Sequence, residues 1–329
     1  MSGPARPPES DGALLSLENV YKTFPVRKSF FSSEELRVRA VDGVSLAVPP
    51  GRTLGLVGES GCGKTTLGRL AIRLLDPDAG RIRFDGKDIT FLSGEALRTT
   101  RRGMQIVFQD PYSSLNPRMQ VRDIVGEGWL VHGLARGRDL RERASRLLER
   151  VGLTAEAGEK YPHEFSGGQR QRIGIARAIA LSPKLVVADE PVSALDVSVQ
   201  AQILNLLKDI QEEYGIAYLF VSHDLRVIRH MSDTVAVMYL GKIMEVGPAV
   251  ELFRKPLHPY TRSLLSAVPM IGDAPQERIV LAGEIPSPVA PPPGCRFHTR
   301  CFMAQKECAE ASPLLREVAP GRTAACPFV

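Results

Sequence analysis

The 329-residue sequence has no long hydrophobic run: no apolar stretch approaches the roughly 18 residues that a membrane-spanning helix requires. The N-terminal segment MSGPARPPESDG also lacks the apolar stretch of a secretory signal peptide. There is a single tryptophan, which argues against an aromatic belt at a membrane interface. We therefore expect the protein to stay in the cytosol unless a partner holds it at a membrane.

The charge balance lacks the basic excess that is typical of nucleic-acid-binding proteins, because 42 lysines and arginines stand against 37 acidic residues. The hydrophobic and charged fractions are those of an ordinary globular protein, so disorder throughout is excluded. The sequence shows no internal repeat. From about residue 255 proline and glycine become frequent and hydrophobic periodicity fades, so we expect one core domain followed by a C-terminal extension.

Cysteine is scarce before the extension and concentrated within it. Cys62 stands alone, whereas Cys295, Cys301, Cys308 and Cys326 lie near the C-terminus. In a cytosolic protein such a group favours a metal over disulfides. Four thiolates suit either tetrahedral Zn²⁺ or a [4Fe–4S] cluster, and the lack of a closely spaced C-x₂₋₄-C pair argues against zinc. Metal-free thiols or disulfides would also be compatible with these four residues.

A phosphate loop is predicted at residues 58–65, where GESGCGKT matches G-x-x-x-x-G-K-[ST] in full. A strand-like apolar run, LGLVG, leads into it, and TTLGRLAIRLL with helical spacing follows it. Glycines let backbone N–H groups approach the β-phosphate, Lys64 supplies a cation, and Thr65 offers its hydroxyl to Mg²⁺. The residues predicted to contact ATP in this segment are Gly58, Glu59, Ser60, Gly61, Cys62 (through its backbone N–H), Gly63, Lys64, Thr65 and Thr66.

A second strand-like run, LVVAD, ends in two adjacent carboxylates. Asp189 at the tip of this strand is expected to hold Mg²⁺ through water, and Glu190 to polarise the attacking water as general base. Further strand signals follow in AYLFVSH and TVAVMYLGKIMEVG, with a helix predicted over residues 199–214. This alternation of strand and helix predicts an α/β fold with a parallel core sheet.

These segments, in this order, resemble the ATP-binding cassette (ABC) ATPases over about residues 14–250. FSGGQR is similar to the signature motif of that family, with phenylalanine in place of the usual leucine, and SALD is similar to its D-loop. His223 resembles the switch histidine and Gln109 the Q-loop glutamine. The residues carrying the first two likenesses are Ser166, Gly167, Gly168 and Gln169 in the signature and Ser193, Ala194, Leu195 and Asp196 in the D-loop.

The resemblance implies a P-loop NTPase cassette: a mixed core sheet with flanking helices, N-terminal antiparallel strands and a helical subdomain at about residues 110–182. It implies a flexible tail over residues 1–13, the ATPase domain over 14–254 and the cysteine-containing extension over 255–329. Two such cassettes would sandwich two ATP molecules head to tail, each signature facing the γ-phosphate bound by the other subunit.

The same resemblance implies roles for residues outside the phosphate loop. Gln109 would reach Mg²⁺ or water, and His223 would hydrogen-bond the γ-phosphate. Phe24 would stack on adenine, with Tyr21 as the alternative for this contact; an ordinary core aromatic is the other interpretation of Phe24. Residues 109–116 would contact a short helix of a membrane permease.

Three further segments are similar to one group within the family, the dipeptide, oligopeptide and nickel importer ATPases. They are VFQDPYSSLNP at residues 107–117, HPYT at 258–261 and GCRFHTRC at 294–301. HPYT is also typical of a helix start, with proline in the first turn. GCGKTTLGR and FQDPYSSLNPRM look more like the second, F-type ATPase subunit than the first. The likeness of the cysteine segment favours the [4Fe–4S] cluster over zinc.

The function implied is ATP-driven import of di- or oligopeptides; nickel or another small solute is the alternative. The expected partners are a second, homologous ATPase subunit, two membrane permeases and an extracytoplasmic solute-binding protein, with no nucleic acid. The chain would lie at the cytoplasmic face of the cell membrane, held there by the permeases. The expected ligands are ATP and Mg²⁺.

Two further classes of protein fit the sequence less well. A soluble cassette ATPase acting on nucleic acid or the ribosome tends to carry two cassettes or a long coiled-coil arm, and this chain has one cassette and no room for the arm. A regulatory metal-binding protein with a degenerate ATPase domain is disfavoured by the intact Lys64, Asp189, Glu190 and His223.

Overall fold

The computed structural model describes residues 12–27, 35–267, 279–281 and 283–329; the predicted N-terminal tail lies outside these residues except for its last two positions. The strands are Leu15–Arg27 (β1), Glu35–Val48 (β2), Thr53–Val57 (β3), Ala79–Phe84 (β4), Lys87–Asp88 (β5), Met104–Val107 (β6), Leu185–Asp189 (β7), Ala217–Val221 (β8), Thr234–Tyr239 (β9), Lys242–Pro248 (β10), Arg316–Ala319 (β11) and Arg322–Ala324 (β12). The α-helices are Lys64–Ala71 (α1), Gly94–Arg101 (α2), Val121–Val131 (α3), Gly137–Arg150 (α4), Gly167–Ile179 (α5), Val197–Tyr214 (α6), Leu225–Met231 (α7), Ala249–Arg254 (α8), Pro259–Ser266 (α9) and Glu307–Glu310 (α10).

The chain divides into two compact units. The first contains the described residues up to Pro49, Thr53–Phe91 and the described residues from Ser222 onward. The second contains Pro50–Arg52 and Leu92–Val221. None of the helices in the part of the chain that the structure describes is long and apolar enough to cross a membrane.

The first unit begins with an antiparallel sheet in the order β2-β1-β4-β5. In β2 the side chains of Val44, Leu46 and Val48 are buried, whereas the intervening Ser45 and Ala47 are partly exposed. This period of two is what a strand with one face on a core produces. The antiparallel N-terminal strands that the resemblance implies are confirmed.

The phosphate-loop strand belongs to the same unit. All five residues of β3 are buried, and β3 pairs in parallel with β9. A parallel strand covered on both faces reads as a continuous apolar run, which explains TLGLV. Antiparallel pairs then extend this sheet from β9 through β10 and β12 to β11.

In the second unit β6, β7 and β8 form a parallel sheet in that order. Every residue of β7 and β8 is buried, so these strands are the core of the unit. Helix α3 packs against both α4 and α5. The parallel core sheet predicted from the strand and helix order is therefore present, and β7 has the bounds of the LVVAD segment.

The C-terminal extension is joined to β10 by a buried ion pair. The carboxylate of Glu245, which is fully buried, accepts hydrogen bonds from the N–H groups of Leu257 and His258 at 2.9 Å each. Arg322 of β12 donates to the same carboxylate at 3.0 Å. One β10 side chain therefore binds both the segment that enters α9 and the neighbouring strand β12.

Candidate functional site

The two fixed glycines of the phosphate loop stand where no side chain fits. A Cβ on Gly58 would lie 2.1 Å from the carbonyl oxygen of Met238. Gly63 has φ +110°, and its Cβ would lie 2.0 Å from the carbonyl oxygen of Ala40. Contacts this short with backbone atoms exclude any larger residue, so the loop can close only with glycine at both positions. Helix α1 starts directly after the loop, at Lys64.

Lys64 is buried, and its ammonium group lies inside the loop. Its Nζ donates to the carbonyl oxygens of Gly58 at 2.8 Å and Glu59 at 3.0 Å. A cation held at the start of a helix, where backbone N–H groups also converge, is suited to a phosphate anion. Burial raises the pKa of the neighbouring Cys62 thiol, which keeps this sulfur protonated and agrees with a backbone role only.

Glu59 has two partners in the C-terminal extension that sequence reasoning missed. Arg300 donates to both carboxylate oxygens of Glu59, at 2.8 and 3.2 Å. The N–H of Glu59 donates to the hydroxyl of Tyr260 at 3.0 Å. Tyr260 lies in the HPYT segment, which indicated a family likeness and a helix start but no contact with the phosphate loop. The helix start is present, because His258 caps α9 and Pro259 is its first residue.

In the second unit Glu190 follows directly on β7, and its backbone is strained. Its φ is +46°, a conformation that costs a non-glycine residue about 1–2 kcal/mol and is concentrated at functional sites. The N–H of Glu190 donates to the carbonyl oxygen of Val221 at 2.9 Å, and the hydroxyl of Ser193 donates to the carbonyl oxygen of Glu190 at 3.1 Å. Asp189, the last residue of β7, is buried.

Gln109 contacts Glu190 directly. Its side-chain Nε2 donates to a carboxylate oxygen of Glu190 at 3.0 Å. The structure thus brings together two residues for which the sequence predicts different tasks. Gln109 is exposed and Glu190 is half-buried, and the hydrogen bond fixes the direction of the Glu190 carboxylate.

The signature segment forms the N-terminus of α5. The hydroxyl of Ser166 accepts from the N–H of Gln169 at 3.4 Å, and the Gln169 side chain accepts from the N–H of Ser166 at 3.0 Å. A helix N-terminus, where the N–H groups of the first turn converge, is suited to an anion. A Cβ on Gly168 would lie 2.5 Å from Val199 of α6, so close packing of α5 on α6 explains this glycine.

The D-loop lies beside the signature segment. A Cβ on Gly167 would touch Leu195 at 3.4 Å, while Ser193, Ala194 and Asp196 are exposed. The exposed Tyr112 of the Q-loop segment also lies nearby, because its ring stacks under the guanidinium of Arg170, 4.1 Å away. Signature, D-loop and Q-loop segments therefore share one surface of the second unit.

The remaining predicted ATP contacts lie in the first unit. Phe24 on β1 is half-buried, with Nζ of Lys22 5.8 Å from its ring centre, and Tyr21 is 38% exposed. Lys22 is in turn paired with Asp78 at 2.8 Å. His223 is exposed and follows the buried Ser222 at the start of the segment leading into α7.

The four C-terminal cysteines lie near one another as free thiols. Burial, with a smaller contribution from the nearby Cys308, Cys301 and Cys326, raises the pKa of the Cys295 thiol to about 11, against the opposing hydrogen bond from the Phe297 N–H. Within the described ranges, however, no group of three or more histidine, cysteine or acidic side chains is arranged to hold a metal ion. In the described residues the four sulfur atoms do not form a ready-made set of metal ligands, so the predicted [4Fe–4S] cluster is not confirmed.

Comparison with known proteins agrees with this site. Residues 41–193 match the family profile described as ABC transporter, and residues 244–308 match the one described as oligopeptide/dipeptide transporter, C-terminal region. The chain is 54% identical over 317 residues to the oligopeptide transport ATP-binding protein AppF of Bacillus subtilis, covering 95% of this chain and 96% of that protein. It is 50% identical over 314 residues to a putative peptide import ATP-binding protein of Brucella ovis, covering 95% and 97% of the two chains.

Comparison with a solved structure also identifies the fold as an ATP-binding cassette. The ATP-binding cassette MJ0796, in a dimeric post-hydrolysis state with ADP and phosphate, matches with a TM-score of 0.64 and 28% sequence identity. The match covers 71% of this chain and 98% of that one. With the glycine cradle and buried lysine described above, these findings confirm the cassette fold, ATP hydrolysis as the activity and ATP with Mg²⁺ as ligands. The chain belongs to the ABC transporter ATPases, in the group that carries the oligopeptide/dipeptide transporter C-terminal region and is similar to its F-type subunits.

Proposed function

We propose that this chain hydrolyses ATP to power the uptake of di- or oligopeptides through partner permeases. The observation that carries the proposal is the likeness, over 95% of the chain, to proteins named for oligopeptide transport and peptide import. The oligopeptide/dipeptide transporter region at residues 244–308 supports it independently of the ATPase domain. Import of nickel or another small solute by the same machinery is the alternative.

The residues of the site take distinct roles in this proposal. Lys64 and the loop N–H groups bind the phosphates of ATP. Thr65 and Asp189 would hold Mg²⁺, which when bound would supply positive charge to offset the charge on the phosphates. Glu190 accepts the proton of the attacking water, and His223 hydrogen-bonds the γ-phosphate.

Two other side chains, one in each unit, have roles in this proposal. Gln109 orients the Glu190 carboxylate through the 3.0 Å hydrogen bond, which adds to its expected place near Mg²⁺ or water. The half-buried Phe24 stacks on adenine.

We infer that the signature and D-loop surface of the second unit serves a second, homologous ATPase subunit. The D-loop residues Ser193, Ala194 and Asp196 are exposed on this surface, and Val197 directly after them is 83% exposed. The capped N-terminus of α5 with Ser166 would face the γ-phosphate bound by that partner.

We also infer that two permeases hold the chain at the cytoplasmic face of the cell membrane and that an extracytoplasmic solute-binding protein delivers the peptide to them. Tyr112 is 60% exposed in the segment 109–116 and supports a contact with a permease helix. Fractionation of cells tests this location: the chain should sediment with membranes when the permeases are present and stay in the supernatant when they are deleted. Sedimentation that does not depend on the permeases would contradict it.

A growth assay with peptides as the nutrient tests the function itself. In a leucine auxotroph that lacks the gene for this chain, the wild-type gene should restore growth on leucine-containing peptides of two to five residues, and Glu190→Gln should not. Free leucine is the control that must support every strain equally. Growth on peptides that is unaffected by deletion, combined with loss of nickel uptake, would favour the alternative.

We propose, finally, that Cys295, Cys301, Cys308 and Cys326 close around a [4Fe–4S] cluster rather than zinc, with a structural role in the extension. Support comes from the backbone: the N–H groups two residues after Cys295, Cys301 and Cys326 donate to the three sulfur atoms, the Met303 N–H at 3.4 Å. Such hydrogen bonds are common around metal-bound thiolates.

Anaerobic purification tests the cluster. The purified wild-type protein and the control variant Cys62→Ser should be brown and contain about four iron atoms per chain. The variant Cys301→Ser should contain less iron than either. A colourless wild type containing zinc or no metal would refute the cluster and leave the ATPase unaffected.

A further inference from the structure

The C-terminal extension reaches into the phosphate loop through Glu59. This residue follows Gly58, the first fixed glycine, so its carboxylate lies in the segment that receives the phosphates of ATP. Arg300 neutralises that carboxylate with two hydrogen bonds, and the hydroxyl of Tyr260 accepts a hydrogen bond from the N–H of Glu59. Both partners come from the extension, and all three residues belong to the first unit.

The Glu59–Arg300 pair is well shielded from water. The Arg300 side chain is 8% exposed and that of Glu59 is 22% exposed. Burial alone would lower the pKa of Arg300, but its hydrogen bonds to Glu59 and Tyr239 raise it, so the guanidinium stays charged. Two-point contact between a guanidinium and a carboxylate is among the strongest polar contacts in proteins, and removing one partner leaves a charge without compensation.

The extension holds Arg300 and Tyr260 in place through an aromatic cluster. The rings of Tyr239, Tyr260 and Phe297 are fully buried, with centroids 4.7 to 5.4 Å apart. The Tyr239 hydroxyl also accepts from Arg300 at 3.4 Å. Tyr239 ends β9, the strand that pairs with β3, so the cluster joins the extension to the sheet that carries the loop.

An uncompensated Glu59 would oppose nucleotide binding in two ways. Its negative charge would repel the negatively charged phosphates of ATP. Its carboxylate would also find a new partner in Lys64, whose Nζ already lies 3.0 Å from the Glu59 carbonyl. The lysine that should bind phosphate would then be occupied by the carboxylate.

We propose that Arg300 and Tyr260 are positioning residues for ATP binding, through which the C-terminal extension keeps Glu59 neutralised and turned away from Lys64. The extension thereby sets the ATP affinity of the phosphate loop. The inference rests on the proposed binding of ATP at residues 58–66.

The test measures the affinity of the purified full-length chain for MgATP by calorimetry. Arg300→Ala should weaken binding about tenfold or more, because the Glu59 charge is left uncompensated. Arg300→Lys should recover part of the loss. Tyr260→Phe keeps the ring and removes the hydroxyl, and it should weaken binding several-fold. The matched control is Arg316→Ala, which removes another arginine of the extension whose hydrogen bonds go to carbonyl groups near the C-terminus.

The deciding variant is Arg300→Ala combined with Glu59→Gln. If charge compensation is the function of Arg300, the double variant should bind MgATP within about twofold of Glu59→Gln alone. An Arg300→Ala chain that binds as tightly as wild type would overturn the proposal, and so would a loss that Glu59→Gln does not repair. A wild-type chain that binds no MgATP would instead contradict the proposed function, so the two failures are distinguishable.

Discussion

At the scale of single residues, Glu190 combines a strained backbone with a partly open carboxylate. Its positive φ is maintained by hydrogen bonds to Val221 and from Ser193, and its carboxylate accepts from Gln109. Strain that neighbouring groups hold in place is found where a side chain must point in one direction. This fixed geometry is compatible with the proposed role of Glu190 as general base.

Glu190→Gln should bind ATP and hydrolyse it about 10²-fold more slowly or worse, because the amide cannot accept a proton. The new side chain still offers an oxygen to Gln109, so folding should be preserved. Steady-state phosphate release measures turnover, and size-exclusion chromatography with ATP should show a trapped dimer with its partner. The control Glu212→Gln alters an exposed residue of α6 and should be neutral. Normal turnover in Glu190→Gln would disprove the assignment.

Lys64→Ala should weaken nucleotide binding itself by about tenfold or more, since hydrogen bonds to charged groups contribute about 1.5–3 kcal/mol. The variant removes the buried ammonium that lies on the Gly58 and Glu59 carbonyl groups. Equilibrium titration with a fluorescent ATP analogue measures the change, with the exposed Lys87→Ala as control. ATP affinity equal to wild type, with only hydrolysis lost, would show that the role of Lys64 is misassigned.

The sequence predicted the residues of local motifs but not their distant contacts. Lys64 and Glu190 were assigned from contiguous segments. Tyr260 and Arg300 reach Glu59 across 201 and 241 residues, and neither belongs to a motif for phosphate binding. Side-chain contacts at such separations depend on how the extension packs, which periodicity does not encode.

At the scale of elements, the strands were easier to predict than the helix ends. Strand β7 has the predicted bounds because five buried residues give an unbroken apolar run. Helix α6 starts at Val197, two residues before the prediction, since its first residues are exposed and lack apolar periodicity. The start of α9 was predicted from Pro259, and its cap is the buried His258, whose ring accepts from the Tyr260 N–H at 3.0 Å.

His258 makes the stability of this element depend on pH. Burial lowers the pKa of its imidazole to about 4, whereas about 6.5 is normal in an unfolded chain. Above pH 6.5 the ring is neutral in both states; as pH falls below 6.5 only the unfolded chain takes up the proton. The unfolding free energy should therefore drop by about 2 kcal/mol between pH 7.5 and 5.

Urea unfolding at several pH values measures this slope. His258→Asn keeps an acceptor at the helix N-terminus and removes the titrating ring, so its unfolding free energy should vary less over the same range. Equal slopes for the variant and wild type would show that His258 does not cause the effect.

At the scale of the whole molecule, the order of motifs along the chain determined the family, and the ABC assignment is confirmed. The extension was recognised by composition and likeness, yet its attachment through Glu245, Arg322 and the strand β12 could not be read from the sequence. Those contacts join residues that are far apart in the chain and individually unremarkable. The extension therefore adds to the sheet of the first unit, although its own sequence is poor in apolar periodicity.

Peptide uptake into proteoliposomes tests the central claim most directly. The vesicles contain the two permeases and both ATPase subunits, enclose MgATP, and receive labelled peptide with the solute-binding protein outside. Uptake should require enclosed ATP and should fall at least tenfold when this chain carries Glu190→Gln, with Glu212→Gln as control. Peptide uptake that is equal with the wild-type chain and with Glu190→Gln would contradict the account.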